Sequence, residues 1–460
     1  MTGLLGPTRS GRTPLGLAVA VLSAGLLAGL TAVLGVPQQI AGSAAPTPVR
    51  MAMDIGAAGS AADTTAADCG PGWGTGWMTA PQAAPADPAL GGATLRMIVH
   101  PQLSGSEVRI RLSNAYGDGP LEIGAASVAR AEEGAAVVPG TLRPVTFDGR
   151  PRTTVAAGRD VLSDPVPLPV EAGRVLAVSV HLSSTPRVAT VHPVALQTSY
   201  LSDRGDFTRT PDAGPFDHRI SSWPVLTALD VLQPHPTNAV VAIGDSITDG
   251  FGSKVNADQR WTDALERRLA AEGGSASMAV LNAGLSANQL LVDDPQRGGT
   301  SPAARFERDV AAAAGVTDVV LHIGTNDIAA GRSAAEITAG LQRFAELARG
   351  AGLRVFLSTI TPSRTEAHGT RTAVATRNAV NDWIRGHGRE QADGVLDFAK
   401  AVADRTEPTQ LAAAYDSGDG LHLSAAGYRA LAAAVDIEAL TGSPCRAADA
   451  PAAVLLVAGR

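Results

Sequence analysis

The stretch Val240-Val241-Ala242-Ile243-Gly244-Asp245-Ser246-Ile247-Thr248-Asp249-Gly250 sets a serine in a Gly/Asp-rich turn directly after a short, β-branched apolar run. Such a run is the pattern of a buried strand, and parallel sheets carry their working residues on loops beyond the strand ends. A Gly-Asp-Ser tripeptide alone is also ordinary turn chemistry, because glycine supplies unusual φ and Asp or Ser bonds locally to the backbone. What separates a nucleophile from a turn is whether a base, an orienting acid and oxyanion donors follow at suitable places.

Candidates for all three follow, beyond other predicted strands or in a late loop. Asp318-Val319-Val320-Leu321-His322-Ile323 reads as a second buried strand running into Gly324-Thr325-Asn326-Asp327, where the Asn326 side-chain amide could donate to an oxyanion. Near the C-terminal end, Asp416-Ser417-Gly418-Asp419-Gly420-Leu421-His422-Leu423-Ser424 places an acid three residues before a histidine, in a Gly-rich loop entering a helix with Ser424 as N-cap. In that arrangement His422 would take the proton of Ser246 and Asp419 would fix the imidazole tautomer, with Asp416 as the reserve acid. Taken singly, His422 is also a helix-terminus histidine, Asp419 a turn former and Asn326-Asp327 a cap. His322, inside an apolar run, reads as a core histidine and not as a second base.

Together these segments resemble the SGNH or GDSL hydrolase superfamily. Gly244-Asp245-Ser246, Gly324-Thr325-Asn326-Asp327 and Asp419-Gly420-Leu421-His422 match three of its blocks in order. Leu281-Asn282-Ala283-Gly284-Leu285-Ser286-Ala287-Asn288 resembles a fourth, but with Ala287 where the family has its oxyanion glycine. The resemblance implies a serine ester hydrolase with Ser246, His422 and Asp419 as catalytic residues. Its oxyanion hole would be made by the Ser246 and Ala287 backbone N–H groups and the Asn326 amide, Gly284 being the alternative to Ala287. A backbone donor tolerates alanine where φ is negative; where φ is positive, alanine costs energy.

Other chemistries lack their signatures. No Gly-x-Ser-x-Gly elbow, Gly-x-Gly-x-x-Gly or P-loop lysine pattern occurs, and the nine histidines and two cysteines show no metal spacing, so neither cofactor nor metal is expected. A formal net charge of −7 with scattered arginines argues against a nucleic-acid partner.

From Asn238 onward the pattern is βαβ, with strands expected at 239–243, 278–282, 318–323, 353–360 and 394–398. Ser333-x-x-Glu336 is a capping box before Ile337, Leu341 and Phe344, and Trp261, Leu265 and Leu269 recur at helical spacing. This predicts an α/β domain over 238–445, with a five-stranded parallel sheet between helical layers; by the family resemblance it is the SGNH hydrolase domain, flavodoxin-like in strand order. Between 69 and 232 the period changes to two. Val108, Ile110 and Leu112 alternate with Arg109 and Arg111, and Leu176, Val178, Val180 and Leu182 with Ala177, Ser179 and His181, which predicts half-buried antiparallel strands of a β-sandwich, jelly-roll-like in style. Gln233-Pro234-His235-Pro236 reads as the linker.

Residues 1–45 read as an export signal, Arg9 and Arg12 preceding an apolar segment from Leu15 to Val36 with small residues at Ala41, Ser43, Ala44 and Ala45. That segment is also long enough to span a bilayer, so an uncleaved anchor at the outer face of the membrane stays open. A secreted protein follows, with a disordered spacer over 46–68 and an Ala-rich tail over 446–460. In that setting Cys69 and Cys445 suggest a disulfide tying the start of the first domain to the end of the last, two free thiols being the alternative. The substrate expected is an ester of short acyl chains or acetylated polysaccharide, with lipid esters as the alternative. A reading of another class makes the β-domain a carbohydrate- or cell-wall-binding module, with Trp73 and Trp77 as exposed sugar platforms or, more simply, as packing.

Overall fold

The computed structural model describes residues 69–449. The predicted export signal or anchor (1–45), the spacer (46–68) and all but the first residues of the tail (446–460) lie outside the described residues. Among the described residues no helix is long and apolar enough to cross a membrane.

The apolar run that opens the motif is the strand Ala239–Gly244, all six residues buried. It belongs to a five-stranded parallel sheet ordered Ala279–Gly284, Ala239–Gly244, Val316–His322, Arg354–Ser358, Gly394–Leu396. The chain leaves Ala239–Gly244 for one neighbour and then crosses to the other, so the sheet's topological switch point lies beyond Gly244, where open α/β sheets place their sites. Alternation decides which face each side chain serves. Val240 and Ala242 pack with Trp261, Leu265 and Leu269 of the helix Trp261–Glu272 and with Tyr428 and Leu431 of the helix Ala425–Ala433. Val241 and Ile243 face the other way, toward Ile337, Leu341 and Phe344 of Ala334–Gly350 and Val380 and Ile384 of Arg371–Gln391. Each large apolar side chain so buried contributes about 1.5–3 kcal/mol. The capping box is present: Ser333 Oγ accepts the Glu336 N–H at 3.3 Å while Ser333 N–H donates to Glu336 Oε2 at 2.8 Å.

Residues 72–233 form antiparallel sheets. One runs Gly72–Met78, Leu226–Gln233, Gly105–Ser113, Asp160–Leu162, with Val166–Val170 also on Gly105–Ser113. A larger one runs His218–Ile220, Ser199–Arg204, Ala93–Val99, Leu176–Leu182, Leu121–Arg130, Arg143–Val145, with Thr153–Val155 also on Leu121–Arg130. Val108, Ile110 and Leu112 of the first and Leu95, Met97, Val178 and Val180 of the second share one core, as in a sandwich. A small sheet of Trp223–Pro224, Val188–His192 and Gln82–Pro85 completes the set.

One sequence expectation needs correction. Leu176–Leu182 is not half-buried, because Ala177 and Ser179 on its second face are buried as well. The cause is Arg96, whose guanidinium donates to Ser179 Oγ, Ala135 O and Thr210 O at 2.9, 2.6 and 2.6 Å and lies 3.9 Å from the centre of the Phe216 ring, drawing the 205–216 segment over the sheet. For Trp73 and Trp77 the packing reading holds: Trp77 is buried edge-on against Trp223 at 5.0 Å, and Arg109 covers Trp73 at 4.5 Å. Gln233-Pro234-His235-Pro236 leads from the strand Leu226–Gln233 toward Ala239–Gly244, with Gln233 buried and its Oε1 accepting from Thr237 Oγ1 at 2.7 Å.

The antiparallel half covers an edge of the parallel sheet. Gln102 donates from Nε2 to Val280 O at 2.8 Å and accepts the Val280 N–H at Oε1 at 2.6 Å, so a side chain pairs the edge strand as a neighbouring strand would. Thr75 exchanges hydrogen bonds with the Ala314 backbone at 3.0 and 2.8 Å. Cys69 and Cys445 form a disulfide across 376 residues of sequence. Closing a loop of that length is worth a few kcal/mol, roughly 2–5, in the unfolded chain's lost entropy.

Candidate active site

Register brings the motif segments to one level. Gly244 pairs with Gly284 on one side and with His322 on the other, so Ser246, Ala287 and Asn326 all lie two to four residues beyond the same edge of the sheet. Gly244 is glycine because a Cβ there would collide with His322 O and Thr248 Oγ1. Asp245 caps the helix Ser246–Asp249, its Oδ1 accepting the Ile247 N–H at 3.0 Å, and Gly250 ends that helix at φ 97°. Ser246 thus occupies the first helical position, whose N–H has no partner within the helix. Burial, together with nearby Asp327 and Asp249, pushes the Asp245 carboxyl up to about 7.

Ser246 Oγ lies 2.8 Å from His422 Nε2, and His422 Nδ1 lies 2.6 Å from Asp419 Oδ2. A carboxylate only accepts, so the Nδ1–H donates to Asp419 and leaves Nε2 with a lone pair for the serine proton. Asp419 Oδ1 also accepts the His422 N–H at 2.8 Å and the Leu421 N–H at 2.9 Å, which ties the acid to the loop it serves. Burial raises the Asp419 carboxyl, but its bonds to His422 and Leu421 outweigh that and hold it below the usual carboxylate range. Asp416, the reserve acid, accepts the Gly418 and Gly420 N–H groups at 2.7 and 3.0 Å and shapes the turn instead of meeting His422. The His422 ring packs at 4.5 Å on Phe251, which is 41% exposed.

The third component is the segment 284–288. Gly284 packs so closely on the Thr248 and Asp249 backbone that a Cβ would collide there, and its N–H donates to Asn282 Oδ1 at 2.8 Å, so it offers no donor. Ala287 has φ 64°, the left-handed backbone that alanine resists. Among the described residues the Ala287 N–H donates to no protein acceptor, whereas those on both sides are committed: Ser286 N–H to Asp249 Oδ2 at 2.9 Å and Asn288 N–H to Leu285 O at 3.1 Å. Asn326 Nδ2 donates one hydrogen to Asn288 O at 2.9 Å, which fixes the amide and leaves its second hydrogen free to serve.

Ala287→Gly keeps the N–H and removes a Cβ that left-handed backbone penalises by about 1–2 kcal/mol, while the glycine's own entropy returns about 0.5–1 kcal/mol. The variant is expected to unfold at an equal or slightly higher urea concentration, with kcat at or above that of wild type. A large loss of kcat in folded protein would show that the side chain, not the backbone, carries the role.

Two further residues hold this geometry, and one of them has no local signature. Arg305, fully buried, donates from Nη1 to Ala283 O at 2.7 Å and from Nη2 to Gly244 O at 3.2 Å and Asn288 Oδ1 at 2.9 Å, so one guanidinium clamps two strand ends and the segment 284–288. Asn288 Nδ2 donates to Gly298 O and Thr300 O at 2.6 and 2.9 Å. Asn288 closes the block already quoted and was within reach of sequence reading; Arg305 was not.

His322 is a core histidine. Its Nδ1 donates to Ser358 Oγ at 2.7 Å, Ser358 passing its own hydrogen to Leu321 O at 3.1 Å, and burial pushes the imidazole down to about 4. The unfolded chain therefore binds a proton near pH 6.5 that the folded one refuses until about pH 4, so stability falls as the pH drops through that window, by on the order of 3 kcal/mol. Asp245, raised to about 7, acts in the opposite sense. Comparing wild type with His322→Asn in urea at pH 7 and pH 4 isolates the histidine: the variant should gain that amount relative to wild type, and a difference independent of pH would contradict the assignment.

Residues 242–430 match the GDSL-like Lipase/Acylhydrolase family. No curated protein matches the chain. Solved structures similar to this part include the carbohydrate acetylesterase Est24 of Sinorhizobium meliloti, 20% identical, covering 42% of this chain and 94% of its own, TM-score 0.34. The M. smegmatis aryl esterase is 21% identical and covers 43% and 95%, TM-score 0.34. A member of the lipolytic protein G-D-S-L family from Veillonella parvula DSM 2008 is 19% identical and covers 43% and 94%, TM-score 0.33. It is the family match, on a five-stranded parallel sheet ending in a hydrogen-bonded serine, histidine and aspartate, that identifies residues 242–430 as a GDSL-like lipase/acylhydrolase domain, the carboxylester hydrolase of this chain.

Proposed function

We propose that the chain is a secreted serine esterase acting on short acyl esters, free or on acetylated polysaccharide, through an acyl-enzyme on Ser246. The observation that carries this reading is the Ser246–His422–Asp419 hydrogen-bonded chain. Ser246 Oγ attacks the ester carbonyl carbon as His422 Nε2 takes its proton. Charge moves to the carbonyl oxygen, which the Ser246 and Ala287 N–H groups and the free Asn326 amide hydrogen receive. Collapse breaks the bond to the alcohol, which leaves with the proton from His422. Water then loses a proton to His422, attacks the acyl carbon and releases the acid, restoring Ser246. Secretion is supported by the Cys69–Cys445 disulfide, a bond suited to an oxidising compartment.

Lipid esters are the second reading, favoured by one observation: Phe251 and Val255 are both exposed on the segment after the nucleophile helix, with Phe251 against His422. The reading of the β-half as a sugar-binding module loses its carriers, since Trp77 is core and Trp73 lies under Arg109. An ester panel of increasing acyl length, with acetylated xylan, run on wild type and Ser246→Ala, separates the readings. The proposal expects turnover to peak at acetyl and propionyl esters and to vanish in the variant. Turnover rising toward long acyl chains would favour lipid esters, and an undiminished variant would overturn the assignment of Ser246.

A further inference from the structure

The antiparallel half supplies one side chain that reaches the back of the site. His192, the last residue of Val188–His192, is buried, as is Asp249 at the end of the nucleophile helix, and His192 Nε2 lies 3.2 Å from Asp249 Oδ1. Both imidazole nitrogens face oxygen acceptors only: Nδ1 faces Ala80 O at 2.8 Å, and Nε2 faces Val194 O at 3.1 Å besides Asp249. Carbonyl and carboxylate oxygens cannot donate, so the contacts are satisfied when both nitrogens carry hydrogen, the imidazolium form. Asp249 in turn uses Oδ2 for the Ser286 N–H at 2.9 Å and the Ser286 hydroxyl at 2.6 Å. Ser286 immediately precedes Ala287, whose strained φ needs its neighbours held.

We propose that His192 is a positioning residue for ester hydrolysis, holding Asp249, and through it Ser286, so that the Ala287 N–H is aimed at the oxyanion. The inference rests on the reading of the Ala287 N–H as an oxyanion donor. It gives the antiparallel half a part in catalysis that no sugar-binding role supplies. The pair lies at a cavity of about 60 Å³ between the halves, walled also by His100, Asp258, Arg260 and Asp263, and Ser246, His422 and Asp419 are not among its walls. His192 therefore acts from behind the site and not on substrate. It also offsets a charge: an Asp249 carboxylate without its cation would oppose the negative charge that develops on the substrate oxygen.

The test compares His192→Gln with wild type on p-nitrophenyl acetate, with near-ultraviolet circular dichroism to confirm the fold and phenylboronic acid as a probe of the tetrahedral adduct. Expected are a ten- to hundredfold lower kcat with KM within about twofold, a smaller share than losing a whole oxyanion donor, and a parallel loss of boronate affinity. A merely structural histidine would change the unfolding midpoint but leave kcat and boronate affinity per folded enzyme unchanged, and that result overturns the proposal. Removing one partner of a buried pair can prevent folding. In that case Asp249→Asn, measured in the same way, decides by the same two outcomes. Ser246→Ala keeps the levels separate: if it is inactive while a folded His192→Gln is wild-type, only this inference fails, whereas an active Ser246→Ala removes the reading beneath it.

Discussion

Ser246→Ala is expected to lower kcat on short aryl esters by roughly 10⁴–10⁶-fold with little change in KM, the scale seen when a serine nucleophile is removed. Among the described residues Ser246 is the hydroxyl that meets His422 Nε2, at 2.8 Å, whereas Ser286 donates its hydrogen to Asp249 Oδ2 at 2.6 Å and Ser417 to Asp419 Oδ1 at 3.4 Å. The fold should be unaffected, because the Asp245 cap and the packing of Ile247 do not use the Ser246 side chain. Steady-state kinetics on folded variant checks this, and a loss below a hundredfold would place the nucleophile elsewhere.

Asn326→Ala is expected to cost about 10²–10³ in kcat, again with KM nearly unchanged, because the amide stabilises charge that exists only in the transition state. Asn326 is aimed through several bonds. Its Nδ2 holds Asn288 O, Asn288 Oδ1 is held by Arg305, and Arg305 holds the carbonyls of Gly244 and Ala283. Next to it, Asp327 accepts the Leu290 and Leu291 N–H groups at 2.8 and 3.0 Å and anchors the far side of the same segment. The alanine variant also frees Asn288 O, worth about 1 kcal/mol of stability, so a matched unfolding curve separates the two effects. A variant with raised KM and intact kcat would make Asn326 a binding residue and not an oxyanion donor.

How much of this was legible in the sequence follows from how local each feature is. Ser246 and Asn326 could be proposed because each sits directly after a recognisable apolar run, and Asp419 and His422 because they share one Gly-rich loop ahead of a helix. The parallel sheet was legible from its apolar runs, with ends displaced by a few residues: Arg354–Ser358 is shorter than the apolar run around it because the Ile360 N–H and carbonyl bond to the Asn381 side chain at 2.7 and 2.9 Å and not to a neighbouring strand. What was not legible depends on partners far apart in the chain. The outer face of Leu176–Leu182 carries small Ala177 and Ser179, which look like surface residues until Arg96 draws a distant loop over them. The packing of Trp77 requires Trp223, and the backbone of Ala287 is set by Asp249 and Arg305, neither of which any spacing rule connects to it. His192 lies outside the matched family segment altogether, on the half whose strands were visible but whose contact with the site was not.

Catalysis through a covalent ester on Ser246 is tested by inactivating the full chain with a p-nitrophenyl alkylphosphonate and locating the adduct by peptide mass spectrometry. Expected is one phosphonyl group per active chain, on Ser246, with p-nitrophenol released in equal amount and no labelling of Ser246→Ala. Full inactivation with the group on any other residue, or esterase activity that survives complete modification of Ser246, would contradict it.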